Sequence, residues 1–203
     1  MTFDTQKNPE IPDCYYPKNP ILVTPDNPTP KHSLYLSNLD DQKFLRFSIK
    51  YLYLYEKGVC VENLKLSLSK ILTEYYPLAG RLRSANNNND QKLEVDCNGE
   101  GALFAEAYID YSVAEFLEFS GKPNKSWRKL LYKVDALTFL DVPPLVVQVS
   151  FSLSFRLFYV SIMILSISFH PIIVLTLTYV CGSEFKLKGK QSKIFNIYSH
   201  KVG

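Results

Sequence analysis

The stretch "LVVQVSFSLSFRLFYVSIMILSISFHPIIVLTLTYV", residues 145–180, carries a single formal charge, at Arg156. Such a run suits either a buried β-sheet or a membrane-spanning helix, because both environments exclude charged side chains. Two prolines precede it in "DVPPLVVQVS", and this start is typical of a strong buried strand. The continuation of the run has to be interpreted together with the composition around it.

The charge balance changes near residue 150. Residues 1–150 contain 17 Lys and Arg against 19 Asp and Glu, whereas residues 151–203 contain 6 basic residues and one acid, Glu184. The resulting net charges, −2 and +5, sum to the +3 of the whole chain. A break this sharp indicates segments of different origin or environment. We therefore predict a domain over residues 1–150 and a divergent apolar and basic tail over residues 151–203.

Cysteine and histidine usage argues against a metal site and a secreted protein. The four cysteines lack C-x-x-C spacing, and none of the three histidines lies near a cysteine, so structural zinc is not expected. The start "MTFDTQKNPEIPDC" has neither a basic segment nor an apolar one that would form a signal peptide. These features predict a cytoplasmic protein with free thiols and without nucleic-acid binding, since the basic tail lacks an Arg and aromatic platform.

Hydrophobic periodicity predicts a mixed α/β domain, a mixed sheet with flanking helices. Seven of the twelve prolines lie in residues 1–30, which favours extended chain with at most short edge strands. Period two over residues 46–55 predicts a strand with one buried face, and the spacing over 59–76 predicts an amphipathic helix. Further elements are predicted as strands at 34–36, on both sides of a polar turn within 80–97, at 102–109 and from 145, and as a short helix at 111–119.

Catalytic motifs are missing from the sequence when its residues are considered alone. It contains no G-x-G-x-x-G, Walker loop, G-x-S-x-G or H-E-x-x-H pattern. None of the histidines, His32, His170 and His200, is followed by an acid four residues later. The residues by themselves therefore predict an α/β domain without a recognisable catalytic centre.

Four stretches together resemble one enzyme family. They are "NPILVTPDNPTPKHSLYLSNLDD" at 19–41, "YYPLAGRLR" at 75–83, "KLEVDCNGEGALFAEA" at 92–107 and "DVPPLVVQVS" at 141–150. Their order and spacing resemble the N-terminal part of plant BAHD acyl-CoA-dependent acyltransferases. The resemblance is closest to the branch that transfers hydroxycinnamoyl or fatty acyl groups to fatty alcohols and ω-hydroxy fatty acids.

The resemblance implies a partial chloramphenicol acetyltransferase-like fold, the first domain only. Family members use acyl-CoA as co-substrate, bind an alcohol acceptor, and deprotonate it with the histidine of an H-x-x-x-D motif. This sequence contains neither that motif nor the family's D-F-G-W-G motif, and its single tryptophan is Trp127. We therefore expect a truncated acyltransferase that has no catalytic residue, needs no further cofactor and is inactive alone. The alternative is a non-catalytic fragment that pairs with a full-length acyltransferase or associates with a membrane.

The resemblance also implies where the acceptor alcohol binds. In the hydroxycinnamoyl-transferring relatives, the strand after a Thr-Pro pair borders the acceptor side of the channel. Here the corresponding substrate-binding candidates are Thr29, His32, Ser33 and Tyr35, and the alternative is that they are ordinary edge-strand residues. For "YYPLAGRLR" we predict an architectural role, with the helix stopping at Pro77 and Gly80 forming the turn into a strand.

Three interpretations remain open for the tail. Residues 157–180 are long enough for a membrane helix of about 20 residues, but Pro171 and many β-branched residues disfavour a helix. The tail could instead supply two buried strands separated by "FHP". The favoured interpretation is translated non-coding sequence from a retained intron or mispredicted gene model, because acids almost vanish after residue 150.

Overall fold

A computed structural model describes residues 10–38, 40–46, 48–55, 60–85, 92–111, 115, 125–152, 158–165 and 193–198. The strands within these ranges are β1 Ile21–Val23, β2 Ser33–Tyr35, β3 Ser48–Tyr55, β4 Arg81–Ser84, β5 Leu93–Asp96, β6 Ala102–Ile109, β7 Leu145–Ser152, β8 Phe158–Leu165 and β9 Lys193–Tyr198. The α-helix described is α1, Val61–Glu74, and short 3-10 helices span Lys43–Leu45, Tyr76–Ala79, Lys125–Leu130 and Phe139–Asp141.

Two sheets organise these elements. The larger has six strands in the order β1-β6-β7-β8-β3-β9, with β6 and β7 parallel and the other pairs antiparallel. The smaller has three antiparallel strands in the order β2-β5-β4. The predicted mixed α/β class is confirmed, and β1 is a short edge strand, as the proline-rich start of the chain predicts.

The main core lies between α1 and one face of the larger sheet. Leu68, Ile71 and Leu72 of α1 are buried against Val147 and Val149 of β7. The apolar spacing of the helix places these side chains on one side, and that side covers the sheet. The β7 strand lies inside the sheet and is covered on both faces, so its sequence is nearly continuous in buried residues.

The prediction of one buried face for the strand at residues 46–55 is wrong. Tyr51 is 6% exposed and Leu52 is fully buried, although neighbouring strand residues point to opposite faces. The reason is that Leu52 shares its face of the sheet with Gln148 of β7, through β8, and the segment around Leu130 lies over that face, where Gln148 bonds the Leu130 carbonyl. Tyr51 belongs to the core under α1.

The "YYPLAGRLR" stretch joins α1 to the smaller sheet as predicted. After α1 ends at Glu74, Pro77, Leu78 and Ala79 are buried in a 3-10 turn. A side chain at Gly80 would collide with the backbone carbonyl of Asp96, so only glycine allows β4 to approach β5 this closely. The Arg81 guanidinium completes the joint by donating to the carbonyl oxygens of Gly80 at 2.6 Å and Gly101 at 2.8 Å.

Two segments beyond residue 155 extend the larger sheet. Strand β8 pairs with β7 and β3, and β9 pairs with the other edge of β3. Within the part of the chain that the structure describes, no helix has the length and apolar character needed to cross a membrane. The rest of the apolar run, residues 166–180, lies outside the described residues, as does the predicted helix at 111–119 except for Tyr111 and Glu115. The domain boundary at residue 150 stays a prediction.

Candidate acceptor-side site

The strand that carries two of the predicted site residues is an edge strand of the smaller sheet. In β2, Ser33 pairs with Asp96 and Tyr35 pairs with Glu94. Alternation along the strand places Ser33 and Tyr35 on one face. Leu34, between them, packs on the opposite face into a second core with residues such as Leu82 and Val95. The register therefore presents a hydroxyl and a phenol side by side on the outer face.

Arg83 connects the three strands of the smaller sheet on this outer face. From β4, Arg83 bonds the carboxylates of two β5 residues, with Nε 2.6 Å from Glu94 Oε1 and Nη1 3.3 Å from Asp96 Oδ2. Its Nη2 donates to the hydroxyl of Ser33 on β2. Because β5 lies between β2 and β4, the guanidinium bridges the full width of the sheet.

The electrostatics of this cluster keep the arginine charged and Ser33 fixed. The hydrogen bond to Glu94 raises the pKa of Arg83, and the nearby Asp96 charge adds to the effect. Glu94 is nearly buried, so its carboxylate depends on this partner. Because the Ser33 oxygen accepts a hydrogen bond from Arg83, the hydroxyl proton of Ser33 remains available for a hydrogen bond to the oxygen of a bound alcohol.

The other predicted residues lie apart from the Arg83 cluster. His32 is exposed, with its ring centroid 5.7 Å from that of Tyr76, and its carbonyl accepts the Cys97 N–H at 3.0 Å. Thr29 is half-buried beside Gly99, where a methyl group added to the glycine would lie 3.5 Å from Thr29 Oγ1. Both residues are thus next to the 97–99 segment that follows β5.

Tyr35 differs from the other candidates in its exposure. Its side chain is 76% exposed, which leaves an aromatic ring and a phenol available to a ligand. Together, Ser33 and Tyr35 can hydrogen-bond and pack against an alcohol. Neither is a histidine, the residue that most often acts as the general base in such transfers.

Strand β7 carries a buried polar cluster that the sequence patterns did not predict. Gln148 is 1% exposed, and its Nε2 donates to Ser150 Oγ at 2.6 Å and to the Leu130 carbonyl at 3.1 Å. Cys14 Sγ lies 3.9 Å from the same nitrogen, and the Tyr16 hydroxyl donates to Gln148 Oε1 at 3.5 Å. The signal for this cluster was a glutamine and a serine inside the apolar run "LVVQVSF".

Burial makes the acidic groups of this cluster unreactive. Desolvation raises the pKa of the Cys14 thiol to about 11, although hydrogen bonds with Ser150 and Gln148 oppose the shift. Desolvation also raises the pKa of Tyr16. A protonated thiol is a poor nucleophile, so the cluster fastens the segment around residues 14–16 to the sheet rather than performing chemistry.

Comparison with known proteins identifies the protein family to which this fold belongs. The family model described as the Transferase family matches residues 18–155. Benzyl alcohol O-benzoyltransferase of Petunia hybrida is 37% identical over 154 residues, which are 72% of this chain and 33% of that protein. (Z)-3-hexen-1-ol acetyltransferase of Arabidopsis thaliana is 41% identical over 137 residues, 64% of this chain and 30% of that protein.

Solved structures give the same class. Vinorine synthase is similar with a TM-score of 0.53 and 26% identity, covering 72% of this chain and 36% of that one. TRI101 of F. sporotrichioides, crystallised with coenzyme A and T-2, is similar in fold with a TM-score of 0.59 at 13% identity, covering 75% of this chain and 39% of that one.

The chain therefore belongs to the Transferase family, the family of plant BAHD acyltransferases that the sequence motifs predicted. It spans about a third of the length of the curated relatives it matches. The fold is accordingly part of the chloramphenicol acetyltransferase-like fold of those enzymes. The finer assignment to the hydroxycinnamoyl and fatty acyl branch stays a prediction.

Proposed function

We propose that this chain is the acceptor-binding part of an acyl-CoA-dependent alcohol O-acyltransferase. Thr29, His32, Ser33 and Tyr35 are the proposed substrate-binding residues. The observation that carries the proposal is the outer face of β2, where Arg83 holds Ser33 beside the exposed ring of Tyr35. Support comes from plant relatives that are named for their alcohol acceptors, benzyl alcohol and (Z)-3-hexen-1-ol.

The acyl donor in this proposal is a coenzyme A thioester. The structurally similar TRI101 was crystallised with coenzyme A, and the two plant relatives are named for benzoyl and acetyl transfer. A hydroxycinnamoyl or fatty acyl donor is the finer form of the proposal. A binding competition among benzoyl-, acetyl-, feruloyl- and palmitoyl-CoA would rank their affinities for the chain.

We also propose that the 203-residue chain does not itself transfer an acyl group to the alcohol. Acyl transfer to an alcohol needs a base near the acceptor hydroxyl, and the family supplies it from an H-x-x-x-D motif. The sequence contains no such motif, and the carboxylates beside Ser33 and Tyr35, those of Glu94 and Asp96, are paired with Arg83. Alcohol binding without ester formation is therefore the expected behaviour.

Binding of an alcohol tests the acceptor site directly. Saturation-transfer NMR with benzyl alcohol should give contacts with the chain, and Tyr35→Ser should weaken the affinity about threefold or more by removing the aromatic contact. Tyr15→Ser is the matched control, because Tyr15 is also exposed, at 67%, and holds the fold through its backbone bonds to Tyr108.

The control variant should bind benzyl alcohol as the unmodified chain does. Ser33→Ala should reduce the affinity as well, because it removes a hydrogen-bond donor beside the ring. Equal weakening by Tyr35→Ser and Tyr15→Ser would place the alcohol elsewhere and refute the acceptor-site assignment.

A further inference from the structure

Arg83 contacts both rows of residues that make up the outer face of the smaller sheet. Cross-strand pairing puts Arg83, Glu94 and Tyr35 in one row across β4, β5 and β2. Asp96 and Ser33 belong to the neighbouring row, two residues along each strand. From its own row the guanidinium reaches into the next one, where it bonds the Asp96 carboxylate and the Ser33 hydroxyl. The guanidinium therefore lies within the face that would contact an alcohol.

The bond between Arg83 and Ser33 has only one possible direction. A guanidinium carries N–H donors and no acceptor, so the Ser33 oxygen has to accept the bond. No other hydrogen bond of the Ser33 side chain is found in the described part of the chain. A bond accepted from a charged donor polarises the hydroxyl and strengthens the bond that its own proton can form. Ser33 is therefore a better hydrogen-bond donor to a ligand than an isolated serine.

Two carboxylates hold the arginine in this position. Nε of Arg83 lies 2.6 Å from Oε1 of Glu94, whose side chain is 7% exposed, and Nη1 lies 3.3 Å from Oδ2 of Asp96. The planar guanidinium cannot turn away from Ser33 without leaving a nearly buried carboxylate unpaired. A lysine here would keep the charge beside Glu94, but it lacks the fork that bonds Ser33 at the same time. The position of the Ser33 hydroxyl thus depends on an arginine.

We propose that Arg83 is a positioning residue of the acceptor site, which fixes the Ser33 hydroxyl as a hydrogen-bond donor to the oxygen of a ligand held on the Tyr35 ring. The ligands that such a site selects are alcohols and ethers, whose oxygens accept a hydrogen bond. An alcohol bound in this way keeps its own hydroxyl proton free for a base. The inference rests on the proposed function, because it requires the alcohol to bind on this face.

A double-mutant cycle in alcohol affinity tests the role of Arg83. NMR titration with benzyl alcohol gives the Kd of the unmodified chain, Arg83→Lys, Ser33→Ala and the double variant. Arg83→Lys should weaken binding about threefold, because the alcohol loses a prearranged hydrogen bond. In the Ser33→Ala background the same substitution should change the Kd less than about 1.5-fold, since Arg83 acts through Ser33. Arg128→Lys, at an exposed arginine outside the smaller sheet, is the matched control and should leave the Kd unchanged.

A merely structural role for Arg83 gives a different result. Arg83→Lys would then weaken binding equally with and without the Ser33 hydroxyl, and this outcome overturns the proposal. Urea unfolding of the same four chains accompanies the titrations. Arg83→Lys should remain folded, because it keeps a positive charge beside Glu94.

A ligand series tests the direction of the hydrogen bond without any change to Arg83. Benzyl methyl ether can accept a hydrogen bond but donate none, and toluene can do neither. Ser33→Ala should weaken the alcohol and the ether alike, about threefold, and leave toluene unchanged. If the substitution weakens the alcohol but not the ether, Ser33 accepts the bond instead, and the proposed direction is wrong.

Tyr35→Ser separates failure of this inference from failure of the proposed function. If Tyr35→Ser leaves the affinity for benzyl alcohol unchanged, the alcohol binds elsewhere, and both proposals fail. Weakening by Tyr35→Ser without weakening by Arg83→Lys overturns the role of Arg83 alone and leaves the acceptor site in place.

Discussion

The two faces of β7 are both buried, but different interactions hold them. The face toward α1 carries Leu145, Val147 and Val149, which contribute through apolar area removed from water. The opposite face carries Gln148 and Ser150 with Ser152, whose side chains bond groups from other segments. An apolar face tolerates exchange among side chains of similar volume, whereas a buried polar face depends on specific partners.

The apolar face of β7 forms the main core, whereas its polar face holds other segments of the chain in place. The α1 face joins the helix to the sheet. The polar face attaches segments distant in sequence: the region of Cys14 and Tyr16, the Leu130 carbonyl and the Tyr111 carbonyl, which accepts from Ser152.

The largest expected effect comes from the apolar face. Leu145→Ala should lower the free energy of unfolding by about 3 kcal/mol, because Leu145 is fully buried and the variant leaves a cavity under α1. Urea unfolding followed by circular dichroism measures the change. Leu137→Ala is the matched control, since Leu137 is 94% exposed and its loss should cost less than about 0.5 kcal/mol. Equal effects of both variants would contradict the assigned core.

The polar face should respond next. Gln148→Leu preserves volume but leaves the Leu130 carbonyl and the Tyr16 hydroxyl without their partner, which should cost about 2 kcal/mol. The same urea titration measures it. Leu145→Met on the opposite face is the control for a changed shape at equal volume on the same strand, with a cost under about 1.5 kcal/mol. A neutral Gln148→Leu variant would remove the distinction between the two faces.

Because the Cys14 thiol on the polar face is buried, we expect the free energy of unfolding to decrease at high pH. The unfolded Cys14 thiol ionises near its ordinary pKa of 9.0, whereas the folded thiol keeps its proton up to about 11. The folded state therefore binds more protons in this window. Its contribution is complete below pH 9 and is lost as the pH rises to 11, by about 1 kcal/mol at pH 10.

Urea midpoints at pH 8 and pH 10 measure this loss. Cys14→Ala should decrease the difference between the two midpoints, because other titrating groups remain and only this thiol is removed. An unchanged difference would mean that the thiol is not shielded by the polar face.

The smallest expected effect concerns the exposed ion pairs beside the polar face. Lys129 Nζ lies 2.8 Å from Glu10 Oε1 and 3.9 Å from Asp13 Oδ1, but both carboxylates are largely exposed. Lys129→Gln should therefore leave the urea midpoint unchanged within error, because water and salt screen such pairs. A clear loss would show that the segment around residue 14 is held by charge rather than by Gln148.

The sequence predicted the elements better than their partners. Spacing of apolar residues was enough to predict α1, and an apolar run after two prolines was enough to predict β7, because both are local properties of the chain. Such local patterns could not reveal that both faces of β3 are covered, since α1 covers one face and the segment around Leu130, which comes much later in the chain, covers the other. Burial of a strand depends on what packs over each of its faces, and long-range contacts decide this.

For the candidate site, the residues could be predicted from the sequence, but their contacts could not. Family motifs pointed to Ser33 and Tyr35, and the structure gives them a common face. The bond from Arg83 to Ser33 joins residues 50 positions apart, so no local pattern contained it. Gln148 was visible as a polar residue in an apolar run, but its partners, from residue 14 to residue 130, became known only from the fold.

A measurement of ester formation decides whether the chain binds an alcohol without acylating it. The purified 203-residue chain is incubated with benzoyl-CoA and benzyl alcohol, and benzyl benzoate is quantified against heat-inactivated chain. We expect the folded chain to bind the alcohol through the Ser33 and Tyr35 face and to form no ester above the heated control. Ester formation above that control would contradict it, because a base outside the missing H-x-x-x-D motif would then have to activate the alcohol.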